Sequence, residues 1–265
     1  MLKKIKRKLG KDANLKELLK GSAITFILKM GGMALSFVLI YLISKRTGAE
    51  GVGFFNLMFQ ILTVLGMVMA LGMNLSVLRY VGQFNKQGDR HNMHYLYKYF
   101  VRIVGPLSLL TGILLYFLAN YIGSWLSKSE DFIFGLKCIG LILPFYSINQ
   151  ISIEFIRGLK KLQISELIRS VTRPLIMSIL IICPYYNKLT KIDIVYILIV
   201  SLIINSILSR IAIWRELNQI PQEVSSFNKK EFLKTSLPIM IGTIASALMA
   251  AFPYFFLDFY STEGA

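Results

Sequence analysis

Cysteine, histidine and tryptophan are scarce in this sequence, with two of each in 265 residues. Two cysteines are too few for a disulfide scaffold or for a zinc site built from four thiolates. Cys138 and Cys183 fall in separate apolar stretches and read as small packing residues. His91 and His94 stand at i, i+3 with no other His or Cys nearby, so a solvated loop fits better than a metal site. Charge is scarce too. Charged residues are 17% of the chain, against roughly 25% in soluble domains. Acid is the rarer sign: 14 Asp+Glu face 30 Lys+Arg, for a net charge of +16. No Ser/His/Asp set, paired carboxylates or nucleotide motif emerges. Gly48-x-x-Gly51-x-Gly53 has no strand before it and no Gly-Lys-Ser/Thr ending, so it reads as a tight turn. Neither an enzyme, a metal nor a cofactor is expected.

Apolar residues are plentiful. They make up 55% of the chain, and mean hydropathy is +0.59. This excludes a disordered chain, a collagen and a coiled coil. On a soluble protein the basic excess would point to nucleic acid. Here the basic residues lie between long apolar runs, so the expectation is a polytopic membrane protein that binds none.

A bilayer-crossing helix needs about 20 mostly apolar residues. Seven stretches qualify: Ser22–Ile43, Gly53–Leu78, Val101–Ile122, Phe132–Phe155, Leu167–Tyr186, Ile194–Ile213 and Leu237–Leu257. They do not alternate with period two, as barrel strands would. The first is too long for a cleaved signal peptide and has no A-x-A-like site after it. With the N-terminus in the cytoplasm, 19 basic residues outside the spans fall inside the cell and five outside it. The positive-inside rule therefore puts the N-terminus in the cytoplasm and the first loop out. Leu2, Ile5 and Leu9 share a helical face among lysines. An interfacial anchor on anionic lipid and a solvated basic tail both fit that pattern.

An internal repeat is visible. Leu19-Lys20-Gly21-Ser22 matches Leu233-Lys234-Thr235-Ser236 at an offset of 214, and Ala49-Glu50-Gly51 matches Thr262-Glu263-Gly264 at 213. Six spans separate the copies, so both run in the same direction and form a parallel repeat. The chain thus reads as a basic cytoplasmic segment (1–21), a six-helix lobe (22–234) and the first helix of a second lobe (235–265). It is expected to be the N-terminal part of a longer protein.

The residues also carry a family resemblance. Leu18-Leu-Lys-Gly-Ser22, Lys29, Thr47-Gly-Ala-Glu-Gly-Val-Gly-Phe54 and Leu71-Gly-Met-Asn-Leu-Ser-Val-Leu-Arg79-Tyr80 resemble a known family, in this order and spacing. So do Ser236-Leu-Pro238 and Ser261-Thr-Glu-Gly264. The family is the polysaccharide flippases of the multidrug/oligosaccharidyl-lipid/polysaccharide (MOP) exporter superfamily. The resemblance implies an all-α fold of two six-helix lobes around a central cavity. It implies alternating access in the plasma (inner) membrane, moving undecaprenyl-pyrophosphate-linked oligosaccharide from the cytoplasmic to the outer leaflet. Lipid-linked oligosaccharide and membrane lipids are then the expected partners, with polysaccharide assembly machinery beside them.

Six basic residues fall inside spans. A Lys or Arg at the bilayer centre costs about 2.5–3.5 kcal/mol on insertion scales. Arg102, Lys137 and Arg210 are near span ends and can reach headgroups. Lys29 lies seven residues into the first span, about 10 Å deep at 1.5 Å per residue. Arg173 is comparably deep in the fifth, before Pro174, and Arg169 lies one turn earlier. Ser22, Thr25, Lys29, Gly32 and Ser36 form one polar, small-residue stripe, and Asn56, Gln60, Thr63, Ala70 and Asn74 form another. Gly32, Ser36 and Ala70 fit helix packing. Lys29 fits a wet cavity, since a lysine buried without solvent needs an acid, and Glu154 is the nearest topological candidate. Lys29, Arg169 and Arg173 are therefore the expected cations for a diphosphate. Thr25, Gln60, Asn74 and Thr243, the repeat partner of Lys29, are the expected polar lining.

Two other functions compete. A multidrug/cation antiporter of the same superfamily would want a deeply buried carboxylate, and every acid here is near a span end or in a loop. A membrane-embedded polymerase or glycosyltransferase would want catalytic acids or His in sizeable loops, and these loops are short.

Overall fold

Gly48 adopts φ 75° and ψ −175° inside a stretch that is otherwise helical from Ala13 to Met69 (α1). Glycine takes that conformation without steric cost. α1 is therefore two helices joined at one residue, and it contains the first expected span and most of the second. The computed structural model describes residues 13–125, 129–183 and 189–217, with scattered positions between 232 and 253. Only scattered residues of the expected seventh span, Leu237–Leu257, are described, and Thr243 lies outside the described residues.

The second expected span is not one helix. Leu71 (φ 49°) and Gly72 (φ 67°) break it, and α2 (Met73–Gln87) begins beyond them. A left-handed leucine costs roughly 1–2 kcal/mol, and apolar periodicity carries no trace of it. α2 ends on Gly88, also left-handed, where the Asp89 N–H returns to the Phe84 carbonyl at 2.9 Å. Asp89 then caps α3 (Arg90–Trp125) by accepting from the Asn92 backbone N–H at 3.0 Å. α4 spans Glu130–Gly158.

The fifth expected span, Leu167–Tyr186, is not one regular helix. A short α5 (Leu162–Glu166) precedes it, and its described part is a π-helical segment (Leu167–Thr172) followed by α6 (Arg173–Ile182). Pro174 explains the change. It has no N–H for the Ser170 carbonyl, and its ring crowds that group, so the turn before it widens. α7 (Lys191–Leu217) opens on a reciprocal cap, with Thr190 and Asp193 exchanging backbone and side-chain hydrogen bonds.

Side-chain contacts fix the directions. Met58 meets Gly135, Gly66 meets Tyr146 and Val81 meets Gly158, so the second half of α1 and α2 run alongside α4. Gly112 meets Gly140 and Gly123 meets Ile133, so α3 runs against α4. Gly21 meets Leu162 and Gly32 meets Ser170, so the first half of α1 runs with α5 and the π segment. Tyr196 meets Phe134 edge-to-face, and Lys161, just past the end of α4, pairs with Glu216, so α7 runs with α4. The result is an up-and-down bundle with α4 at its centre. Ion pairs sit at both ends: Lys191 with Glu50 at one, Lys161 with Glu216 at the other.

No strand occurs among the described residues. Among the described residues, four helices are long and apolar enough to cross a membrane: Gly21–Met69, Arg90–Trp125, Glu130–Gly158 and Lys191–Leu217. The first is 49 residues long, enough for two crossings at about 20 residues each. The outer surface is apolar, with Phe26, Phe37, Phe117 and Trp125 all exposed. In lipid such a surface needs no cover, and helices associate through close packing instead.

Candidate functional site

A polar cluster forms where the second half of α1, the middle of α4 and the start of α6 meet. Gly66 makes room for it. A Cβ there would stand 2.5 Å from the Tyr146 ring. Tyr146 is 5% exposed, and its hydroxyl is not left unpaired. Gln150, one turn along α4, donates Nε2–H to it at 2.6 Å. The Thr63 hydroxyl lies 3.3 Å from it, and also donates to the Phe59 carbonyl at 2.8 Å. Phe59 packs edge-to-face on Tyr146, with ring centroids 6.4 Å apart.

Arg173 completes the cluster. It is the first residue after the π segment, and its guanidinium carbon lies 3.9 Å from the Phe59 ring centroid. Arginine stacks well because its guanidinium is planar and weakly hydrated. Its Nε is buried and has no hydrogen-bond partner. Among the described residues, no carboxylate lies within 4 Å of it. The cation is thus held against the Phe59 ring face, with no carboxylate beside it among the described residues.

Arg169, one turn earlier, is held differently. It donates to Glu154 at 2.5 Å, and the other Glu154 oxygen lies 3.7 Å from Arg157. Glu154 is therefore engaged by two arginines, and the topological pairing considered for Lys29 is not the one observed. Glu166 accepts from the Ser170 hydroxyl at 2.5 Å. Lys29 is exposed on α1, with no carboxylate within 4 Å among the described residues. It lies one turn before Gly32. That glycine packs so closely that a Cβ would stand 2.6 Å from the Ser170 carbonyl oxygen. This is the carbonyl that Pro174 cannot satisfy. The turn of α1 with Lys29 thus adjoins the segment with Arg169 and Arg173.

The polar lining is spread out. Thr25 donates to the Gly21 carbonyl at 2.8 Å. Gln60 is half-buried, three residues before Thr63. Asn74 lies beyond the Leu71–Gly72 break, and its Oδ1 is buried without a partner. Ala70 is buried, in keeping with helix packing. Tyr146 and Gln150 had no place in the sequence reading. Their signal was an i, i+4 polar pair in an apolar span, the pattern already recognised in α1. No group of three or more His, Cys, Asp or Glu suited to a metal occurs among the described residues.

The comparisons with known proteins agree with this architecture. The model of one family, described as polysaccharide biosynthesis protein, matches residues 18–265. No curated protein matches the sequence significantly. Among solved structures, the chain is similar to an outward-facing multidrug resistance MATE family transporter of the MOP superfamily. That match has TM-score 0.62 and 18% identity, over 90% of this chain and 55% of the other. It is also similar to a MOP superfamily transporter from Pyrococcus furiosus, described as having a binding pocket of reverse polarity. Here the TM-score is 0.61 at 18% identity, over 90% of this chain and 54% of the other. The chain thus spans little more than half the length of these structures. With a family model matched from residue 18 to residue 265, the chain belongs to the polysaccharide biosynthesis protein family, and its fold is that of the MOP-superfamily transporters.

Proposed function

We propose that this chain supplies the N-lobe of a flippase that carries lipid-linked oligosaccharide from the cytoplasmic to the outer leaflet by alternating access. Residues 22–234 would form that lobe, and 235–265 the first helix of its partner. The protein would lie in the plasma membrane with its N-terminus in the cytoplasm. The observation that carries this reading is Arg173. It is a half-buried cation stacked on Phe59, with a buried, unpartnered Nε and no carboxylate within 4 Å among the described residues. A buried unpaired cation is costly and marks a site for an anion. A diphosphate is the dianionic group that joins a polyprenol to its glycan, and arginine can bridge two of its oxygens.

Lys29 would contact the same anion from the exposed face of α1. Arg169 would do so on release from Glu154. Tyr146, Gln150 and Thr63 would offer hydroxyl and amide groups to sugar. A drug/cation antiporter of the same fold would need free carboxylates. Of the buried carboxylates among the described residues, Glu154 is paired with Arg169, and Glu166 accepts from the Ser170 hydroxyl.

The test is translocation of a fluorescent polyprenyl-diphosphate oligosaccharide in proteoliposomes made with the complete transporter. Arg173→Ala should reduce the rate roughly ten- to a hundredfold, the worth of one charge-assisted hydrogen bond. Competition by a polyprenyl diphosphate, and none by a lipophilic cation, is expected. The reverse order of competition would establish the antiporter instead.

A further inference from the structure

α3 and α4 touch backbone to backbone at Gly112 and Gly140. A Cβ on either glycine would collide with the carbonyl oxygen of the other. With both side chains missing, the surface over the crossing is dented into a groove of about 160 Å³. Gly112 and Gly140 form its floor. Ile113, Phe117 and Leu141 form its walls, and Tyr116 stands at its rim. The three wall residues are 48%, 74% and 64% exposed, so the groove opens outward from the bundle.

A charge sits beside it. Lys137 lies on α4 one turn before Gly140, with its ammonium 5.9 Å from the Tyr116 ring centroid. No carboxylate lies within 4 Å of it among the described residues. Further along α3, in the direction α4 comes from, Tyr121 and Trp125 are 73% and 77% exposed. Exposed Tyr and Trp mark the membrane–water interface. Lys137 therefore reaches along the Tyr116 ring toward the headgroup layer, while the groove continues below it into the hydrocarbon.

We propose that this groove binds one anionic phospholipid, of the phosphatidylglycerol kind. One acyl chain lies over Gly112 and Gly140, and the headgroup phosphate pairs with the Lys137 ammonium. Charge complementarity selects this occupant. A neutral phospholipid would make the same apolar contact and gain no net attraction from Lys137. A lysine held against a ring, partly out of water, gains most from an anion. With the charge-derived topology the site faces the outer leaflet. There the loops carry only five basic residues, so a diffuse polybasic surface does not account for it.

The test is native mass spectrometry of the purified protein with dioleoyl-phosphatidylglycerol or dioleoyl-phosphatidylcholine at equal concentration. Phosphatidylglycerol should be retained roughly tenfold better, as one charge-assisted hydrogen bond implies. Lys137→Gln should abolish the preference, and Lys137→Arg should keep it. Ile113→Trp, which fills the groove, should weaken retention of both lipids. Arg102→Gln removes the same charge from the other end of α3 and should change nothing. Equal retention of the two lipids by the unaltered protein would overturn the proposal. So would a preference that survives Lys137→Gln, or one lost equally in Arg102→Gln.

Discussion

The Arg169 guanidinium donates to Glu154 at 2.5 Å, tying the π segment to the last turns of α4. Glu154 has 10% of its side chain exposed and Arg169 has 35%, so water screens this pair only in part. Arg157, the second partner of Glu154, is 46% exposed and 3.7 Å away. The two arginines should therefore differ. Arg169→Gln is expected to cost about 1–2 kcal/mol, between the values for exposed and buried pairs. Arg157→Gln should cost under about 0.5 kcal/mol, as exposed pairs do. Thermal unfolding in detergent measures both, and the opposite order would show that Arg157 is the real partner.

Gly31 and Gly32 are neighbours with opposite surroundings. A Cβ on Gly31 meets nothing within 4 Å, while one on Gly32 would stand 2.6 Å from the Ser170 carbonyl oxygen and 2.7 Å from its Cβ. Gly32→Ala must push the first half of α1 off the π segment, at about 1–3 kcal/mol for overpacking. Gly31→Ala should be neutral or stabilising, since alanine is the better helix former. Melting temperatures of the two variants give the comparison. Equal values would mean that α1 does not rest on Ser170.

Much of this was legible in the sequence, for a physical reason. Membrane crossings are set by length and apolarity, so the run Ser22–Ile43 and the turn near Gly48 could be placed directly. Gly32 could be assigned to packing because small residues let membrane helices approach. Departures from helical geometry left weaker marks. The left-handed Leu71 has no signature in composition, and the expected span Gly53–Leu78 ran through it. The π segment had one sign, Pro174, which warned of a kink without saying how the turn would adjust. Arg173 was marked as a cation in the bilayer. Its seat on Phe59 was not readable, because cross-helix contacts such as Phe59–Tyr146 depend on how helices rotate when packed. Nor could pattern show that Glu154 would choose Arg169 over Lys29.

Pro174 should hold the π segment in place. Pro174→Ala restores an N–H that can bond the Ser170 carbonyl, which permits an ordinary α-helical turn. Removing one residue of slack rotates the upstream turn by about 100°, one residue's share of a 3.6-residue turn. Arg169 would then swing away from Glu154. With Cys138 and Cys183 replaced by serine, the pair Glu154→Cys and Arg169→Cys should cross-link readily with a short bis-methanethiosulfonate reagent, which spans the reach of an Arg–Glu pair where a direct disulfide would not. Adding Pro174→Ala should reduce the yield severalfold. An unchanged yield would show that the π segment does not depend on the proline.

The cations should rank by how they are held. Arg173 is half-buried with its Nε enclosed and unpartnered, Lys29 is exposed with no carboxylate within 4 Å among the described residues, and Arg169 is already engaged by Glu154. In the complete transporter, Arg173→Ala should reduce glycan export most. Lys29→Ala should come next, at roughly tenfold, the lower end of a charge-assisted contact. Lys29→Arg should be tolerated better, since it keeps the charge and adds a forked donor. Arg169→Ala should cost less transport than either and more stability than Lys29→Ala. Arg102→Ala and Arg210→Ala should leave export nearly unchanged, because both side chains are exposed near span ends and can reach headgroups. Export at matched expression, read beside melting temperature, separates the two effects. Normal export in Lys29→Ala together with abolished export in Arg210→Ala would remove Lys29 from the site and put the anion beside Arg210, near the C-terminal end of α7.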